Sequence, residues 1–390
     1  MVQLGDITKI NGHDVPNVDV ITGGSPCQDL SVAGKRKGLA GERSGLFMEQ
    51  IRLIKELRDE ADKRTIKPVR FMVWENVPGA FTSNKGEDFR CVLEETARIK
   101  DKDAAIPRPA GRWSTSGCIL GGGWSVAWRV HDAQFWGTPQ RRKRIALVAD
   151  FRGQAAPEIL FERKGVSRDT PESGEARQGV AADIKRCSDS AGTIVYGISA
   201  YESNSMKSAN PYSGVYEADT TRTLDLNGCL PVCNQGGMVV VFDARGNGTG
   251  KIVPTITGDH ESRITDYTAL YVDHSVARRL TPLECERLQG YPDNWTNIGE
   301  WIDSKGRKRK CADTPRYKAL GNSIALPFWE WLAKRIHPYL GENPTMGSLF
   351  DGIGGFPLVF SRAGIKPMWA SEIEEFPVAV TKKRFEECKN

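Results

Sequence analysis

Two reactive side chains and a glycine-rich turn each follow a short apolar segment of the sequence. Cys27 and Glu75 are the two side chains, and the turn covers residues 352–355. The apolar segments that precede them are VDVIT, RFMVW and SLF. Short runs of this kind, rich in β-branched and aromatic residues, predict buried strands. If these strands are neighbours in a parallel sheet, all three features meet at its carboxyl edge, where α/β proteins bind their ligands.

A thiol and a carboxyl group brought together in this way can modify an electron-poor ring. A thiolate adds to a ring carbon when an acid protonates the ring as charge develops. Cytosine meets this requirement, because attack at carbon 6 with protonation at nitrogen 3 allows carbon 5 to accept a methyl group. Cys27 and Glu75 could supply these two roles. Taken singly, each residue has a simpler explanation, a buried structural cysteine and a carboxylate that caps a turn.

The elements that must position these residues alternate between strand and helix. Apolar residues at helical spacing predict helices, and short apolar runs predict further strands. The predicted helices cover 46–63, 325–336 and 357–363. The further strands cover 2–4, 145–149 and 368–370, and 145–149 is interpreted as a buried parallel strand. The alternation predicts an α/β fold with a doubly wound, mostly parallel sheet.

The middle of the chain has a different character. From about residue 151 to 311 it is rich in Gly, Ser, Thr, Asn and Asp, and its apolar runs are short, as at 238–242 and 269–272. This composition predicts a smaller, irregular, β-rich domain. The catalytic domain is then expected in two parts, residues 1–150 and 312–390.

Charge and composition narrow the classes of partner. The net charge is +5, and basic residues cluster at 35–37, 141–144 and 307–310, which favours a polyanion such as nucleic acid, although the last cluster alone fits a solvated loop. No apolar run reaches the ~20 residues of a membrane span, and no secretory signal begins the sequence, so a cytoplasmic location is expected. Cys229 and Cys233 lack a second pair of ligands at zinc-site spacing, so no metal is expected.

Several motifs together resemble those of the DNA cytosine-5 methyltransferases. Pro26-Cys27-Gln28 is similar to the catalytic loop of that family, Glu75-Asn76-Val77 to its Glu-Asn-Val motif, and QRRKR at 140–144 to its Gln-x-Arg-x-Arg motif. Further segments that resemble the family are 278–284, 287–292, 321–324 and FDGIGGF at 350–356. In FDGIGGF, Asp351 replaces a more usual small residue. The resemblance covers both ends of the chain and leaves about 151–276 unmatched.

The resemblance implies a Rossmann-like, S-adenosylmethionine-dependent methyltransferase domain that acts as a monomer on double-stranded DNA and flips a cytosine out of the duplex. The middle domain corresponds to the target recognition domain. The residues implied in catalysis are Cys27, Glu75, Asn76, Arg142 and Arg144, the two arginines holding the flipped nucleotide. The residues implied in cofactor binding are Phe350, Gly352, Gly354, Gly355, Glu372, Ile373, Asp6, Ile7, Pro26, Leu46, Asn322 and Ser323. For Ile7, Leu46 and Ile373, plain core packing is the competing explanation.

The order of the motifs departs from the family. FDGIGGF comes last in this chain instead of first. Joining Asn390 to Met1 would restore the usual order, so the sequence predicts a circular permutation in which both chain ends build the cofactor pocket.

Three alternatives stay open at the level of sequence. The substrate could be tRNA, the protein could bind DNA without turnover, or a small molecule could be methylated. The sequence does not determine the target site, the base that removes the carbon-5 proton, or whether a restriction enzyme accompanies the protein.

Overall fold

The computed structural model describes residues 1–25, 45–138, 140, 142–161 and 281–387, and the backbone of five strands between residues 194 and 279. Pro26, Cys27, Arg141 and the Cys229/Cys233 pair therefore lie outside the described residues. No helix among the described residues is long and apolar enough to cross a membrane.

Strands and helices alternate through most of the described chain. The strands are β1 (Val2–Gln3), β2 (Val20–Gly23), β3 (Phe71–Asn76), β4 (Ser116–Gly121), β5 (Trp124–Asp132), β6 (Lys143–Asp150), β7 (Ile194–Ile198), β8 (Val215–Glu217), β9 (Met238–Val241), β10 (Ala269–Asp273), β11 (Val276–Arg279), β12 (Trp301–Ile302), β13 (Lys308–Arg309), β14 (Thr345–Leu349) and β15 (Lys366–Ser371). The α-helices are α1 (Gly45–Lys63), α2 (Glu87–Ala97), α3 (Ala156–Leu160), α4 (Pro282–Leu288), α5 (Asp313–Asn322), α6 (Leu326–Ile336), α7 (Gly355–Arg362) and α8 (Glu375–Glu387).

Eight strands form one mixed sheet in the order β1-β15-β14-β2-β3-β6-β5-β4. The pairs from β1 to β3 are all parallel, and those from β3 to β4 are all antiparallel. The predicted α/β fold is confirmed. The interpretation of 145–149 as a parallel strand is wrong, because β6 returns antiparallel beside β3.

Helices cover both faces of this sheet. Phe71 and Val73 of β3 pack in a core with α3, α6 and α7, whereas Met72 and Trp74 pack on the other face with α1 and α2. Successive strand residues point to opposite faces, so a strand segment buried on both faces must be apolar, as the first four residues of β3 are.

The two ends of the described chain meet inside the sheet. β14 and β15 come from the C-terminal part, and β14 lies between β15 and β2. Val2 pairs with Trp369, and the Leu4 amide donates to the Ala370 carbonyl at 2.8 Å. The Gln3 side chain adds a bond to the Thr381 hydroxyl at 2.7 Å. Residues 345–387 are thus an integral part of the core.

The middle of the chain contributes a separate five-stranded sheet, in the order β11-β10-β9-β7-β8. The described strands agree in type with the β-rich character expected there. The segment that follows this sheet packs on the large sheet's side of the protein. Its residues Cys285, Tyr291 and Trp295 are buried in the same core as α6 and α7.

Candidate active site

Glu75 and Arg144 form an ion pair at one edge of the large sheet. The Arg144 Nε lies 2.8 Å from Glu75 Oε1, and the two side chains are 12% and 16% exposed. Both residues lie within strands, Glu75 near the end of β3 and Arg144 near the start of β6. Because β6 is antiparallel to β3, its amino end adjoins the carboxyl end of β3. The pair therefore presents an oriented carboxyl group and a cation to the same space.

The backbone that leads toward Cys27 runs directly against this pair. A Cβ atom added to Gly24 would lie 2.9 Å from Glu75 Oε2. Ser25 is held from β3, because Asn76 Nδ2 donates to its carbonyl and Trp74 Nε1 to its hydroxyl, both at 3.2 Å. Ser25 stands two residues before Cys27 in the sequence. Gly24 and Ser25 had no assigned role in the sequence, although the Gly23-Gly24 doublet signals a close backbone approach.

Arg142 has a different place from Arg144. Its side chain is 1% exposed, and Nη2 donates to the carbonyls of Gly321, at 3.0 Å, and Ser323. The guanidinium therefore holds the end of α5 from inside the protein. The structure thus gives Arg142 a part in positioning α5, and its expected contact with a flipped nucleotide stays a prediction. We treat it as a positioning residue.

Replacing Arg142 with alanine is expected to lower the free energy of unfolding by at least about 1–3 kcal/mol, since two buried carbonyls lose their donor. Urea titration followed by circular dichroism measures this loss. Arg152→Ala, at an exposed position, is the matched control. Equal unfolding free energies for both variants would contradict the positioning role.

The glycine turn contains one glycine with open space beside it and two glycines packed against other side chains. A Cβ atom on Gly352 (φ +55°) would meet no atom within 4 Å. On Gly354 it would lie 2.8 Å from Phe385, and on Gly355 it would lie 2.5 Å from the Tyr291 hydroxyl. Phe350 also adopts a left-handed conformation, with φ +54°. Gly352 thus leaves room for a ligand, whereas Gly354 and Gly355 allow α7 to begin against its neighbours.

Glu372 fastens the end of β15 to this turn. Its Oε2 accepts from the Gly352 amide at 2.8 Å, and its Oε1 accepts from the amides of Ile373 and Glu374 at 2.7 and 2.8 Å. Ile373 is 72% exposed, so it offers an apolar surface next to this carboxylate.

The other predicted cofactor residues divide between surface and core. Asp6 begins a short 3-10 turn, and hydrogen bonds from the Thr8 hydroxyl and amide lower the pKa of its carboxyl group. Ile7 is buried, which favours core packing, and Leu46 is partly buried against the same cluster. Asn322 is exposed at the end of α5, and the buried Ser323 hydroxyl bonds to the Tyr291 hydroxyl. Tyr291 had no assigned role in the sequence.

Gly355→Ala is expected to lower the free energy of unfolding by about 1–3 kcal/mol, because the added methyl group overlaps the Tyr291 hydroxyl and Ile324. Thermal unfolding measures the effect. In Gly355→Ala/Tyr291→Phe, removal of the hydroxyl should restore part of the loss. Gly122→Ala, where a Cβ meets no atom within 4 Å, is the control. A melting temperature in Gly355→Ala equal to that of this control would show that the contact is not close.

A sequence profile described as C-5 cytosine-specific DNA methylase matches residues 1–99 and 120–338. The chain belongs to this family. The matched ranges include the strands that carry Glu75 and Arg144 and the segment with Tyr291 and Ser323. They do not include 339–390, the range that contains the glycine turn.

The individual relatives are named as methyltransferases. The chain is 29% identical over 420 residues to the DNA N-6-adenine-methyltransferase of Escherichia phage P1, covering 86% of this chain and 55% of the relative. It is 23% identical to the type II methyltransferase M2.BsuMI of Bacillus subtilis (strain 168), covering 97% of this chain and 72% of the relative. Among solved structures, the S. pombe Dnmt2 methyltransferase aligns with a TM-score of 0.43 and 16% identity, covering 86% of this chain and 84% of that one. The chain thus spans about half the length of the phage P1 relative.

Proposed function

We propose that this protein transfers a methyl group from S-adenosylmethionine to carbon 5 of a cytosine in a specific sequence of duplex DNA. The observation that carries the proposal is the Glu75–Arg144 ion pair, set against the anchored backbone two residues before Cys27. Family membership supports a DNA substrate and a methyl donor.

Cys27 and Glu75 activate the ring together in the proposed mechanism. The Cys27 thiolate forms a bond to carbon 6 while Glu75 gives a proton to nitrogen 3, which moves electron density to carbon 5. The positive charge of Arg144 favours the thiolate form of Cys27. The Arg144 guanidinium can also donate a hydrogen bond to the base oxygen. Carbon 5 then forms a bond to the methyl group as the sulfur–methyl bond of the donor breaks, which leaves S-adenosylhomocysteine. Water or another base removes the carbon-5 proton, the carbon 5–carbon 6 double bond re-forms as the bond from carbon 6 to the Cys27 sulfur breaks, and nitrogen 3 returns its proton to Glu75. The target cytosine must leave the base stack to reach these groups.

The cofactor fits the groups at the carboxyl edge of β14 and β15. When bound, S-adenosylmethionine supplies an electrophilic methyl group. Gly352 leaves open space for its methionine end. Glu372 Oε2, which accepts one hydrogen bond, retains a lone pair for a ribose hydroxyl. The exposed Ile373 can cover an adenine face. Phe350, Asp6, Leu46 and Asn322 complete the proposed lining.

We also propose that the catalytic domain is circularly permuted, with the target recognition region inside 151–311, between its two parts. Cys285, Tyr291 and Trp295 pack in the core with α6 and α7, so the segment that begins at α4 is assigned to the catalytic domain. Two facts support the permutation. The family profile ends at residue 338, yet β14 and β15 complete the sheet on which the matched strands lie. β1 and β15 are neighbours in that sheet, so the two chain ends belong to one structural unit.

A second candidate reaction is methylation of the adenine amino group, which the name of the phage P1 relative suggests. Transfer to an exocyclic amino group needs neither a thiol adduct nor an acid at a ring nitrogen. The paired and oriented Glu75 carboxyl therefore favours cytosine carbon 5.

The products distinguish the candidate functions. We would incubate the purified chain with S-adenosylmethionine and unmethylated mixed-sequence DNA, or with tRNA, and analyse the hydrolysed nucleosides by mass spectrometry. 5-Methyldeoxycytidine from DNA, absent with Cys27→Ala, is expected. N6-methyldeoxyadenosine, methylated tRNA alone, or no product from a chain that binds DNA would each overturn the proposal.

A further inference from the structure

Asp351 is a buried acid next to the open glycine of the turn. It is 5% exposed, its amide donates to the Ser371 carbonyl, and its carbonyl accepts from the Gly354 amide, both at 3.1 Å. These bonds clamp it between the end of β15 and the start of α7. The neighbouring Gly352 is the glycine of the turn on which an added Cβ atom would meet no atom within 4 Å.

The hydrogen bonds of the Asp351 carboxyl group are incomplete. Its Oδ1 accepts from the Ser348 hydroxyl at 2.6 Å, and that hydroxyl accepts from Thr22 Oγ1 at 3.3 Å. Its Oδ2 is buried and has no hydrogen-bond partner among the described residues. A buried polar atom without a partner is costly, so it points to a ligand group that is still to arrive.

No cation balances this group in the described part of the chain. The ionisable side chains that act on it are Glu372, from the end of β15, and Tyr291, from the turn after α4. No described Arg, Lys or His forms an ion pair with it. Burial, with a smaller effect of the Glu372 charge, raises the pKa of Asp351 to about 8, so the acid is mostly protonated at neutral pH.

We propose that Asp351 is the charge partner of the cationic methionine end of the methyl donor, and that its carboxyl group gives up a proton when that cation binds. This inference rests on the proposed use of S-adenosylmethionine. The O–H bond of the carboxyl group breaks, the proton passes to solvent, and the carboxylate stays beside the cation. No bond of the ligand changes.

Proton release would also make the site discriminate between substrate and product. The donor carries a sulfonium charge, whereas S-adenosylhomocysteine is uncharged at sulfur. The product therefore stabilises the Asp351 carboxylate less and should release fewer protons on binding. The affinity for the donor should rise with pH more steeply than the affinity for the product.

Calorimetry of the full chain tests the proposal without turnover. Binding is measured near neutral pH in two buffers of different ionisation enthalpy, which gives the number of protons released. We expect close to one proton per S-adenosylmethionine, fewer for S-adenosylhomocysteine, and none with Asp351→Asn or Asp351→Ser. Between about pH 6 and about pH 7, the donor Kd should fall about tenfold in the wild type and stay constant in both variants.

Glu374→Gln is the matched control, because it removes a nearby exposed carboxylate that pairs with Lys318. It should behave like the wild type. Donor binding by the wild type without proton release, or equal release by the Asp351 variants, would overturn the inference and leave the proposed function intact. Failure of the folded wild type to bind S-adenosylmethionine would overturn both.

Discussion

Glu75→Gln should lower the rate of methyl transfer to cytosine by about 10²–10⁴-fold, the range that a positioned general acid contributes. The amide keeps the shape of the side chain but cannot protonate the ring. The loss should appear in a single-turnover rate. The Kd for S-adenosylmethionine should be almost unchanged because Glu75 has no described hydrogen bond to the glycine turn, and the melting temperature should be almost unchanged because glutamine keeps the size of the side chain within β3 and can still accept from Arg144.

The ion pair provides an internal comparison. Arg144 holds Glu75 at the sheet edge, so Arg144→Ala should also reduce turnover strongly while it leaves stability near that of the wild type. Arg142→Ala should show the opposite balance, with loss of stability first. Glu342→Gln, at an exposed position, controls for the change in charge. Wild-type turnover by Glu75→Gln would remove Glu75 from the mechanism.

The second large effect concerns the C-terminal segment. A variant that lacks residues 342–390 should not bind S-adenosylmethionine, because β14 lies between β15 and β2 and carries the glycine turn at its end. Moving the same segment in front of residue 1 through a flexible Gly/Ser linker should restore the fold, since β1 and β15 are already neighbours. The two variants differ only in whether the segment is present.

Thermal unfolding and cofactor affinity measure the outcome. We expect the relinked variant to keep a cooperative transition and a Kd within a few-fold of the wild type. A truncated chain with the affinity of the wild type would contradict the role of the segment. A relinked variant that fails to fold would contradict the proposed permutation.

The sequence predicted the parts of the fold in which local pattern and burial agree. The helix expected over 46–63 is α1, at Gly45–Lys63, and the strand expected over 368–370 is the centre of β15. Elements between residues 77 and 132 were not predicted. β4 has no clear hydrophobic pattern in its sequence, and it is positioned by its packing against β5. Gly117 and Gly121 of β4 lie against Trp128 and Trp124 of β5. Glycine gives no strand signal of its own.

The sequence indicated the residue types of the candidate site, but it did not indicate their geometry. Glu75 was expected beyond the end of a strand but lies within β3, and Arg144 reaches it because β6 runs antiparallel. Strand direction depends on long-range pairing that no local pattern records. The same limit applies to Arg142 and Arg144. They stand two residues apart in one motif, yet Arg142 is enclosed in the protein and Arg144 is paired with Glu75.

Trapping the covalent intermediate tests the central claim most directly. Duplex DNA with 5-fluorocytosine at the target position is incubated with the chain and S-adenosylmethionine. A base can remove a hydrogen from carbon 5 as a proton but cannot remove a fluorine, so the covalent adduct persists. The account predicts a stable protein–DNA complex whose cross-linked peptide contains Cys27, and no complex with Cys27→Ala. Methylation of normal DNA at carbon 5 by Cys27→Ala, or a cross-link at another residue, would contradict it.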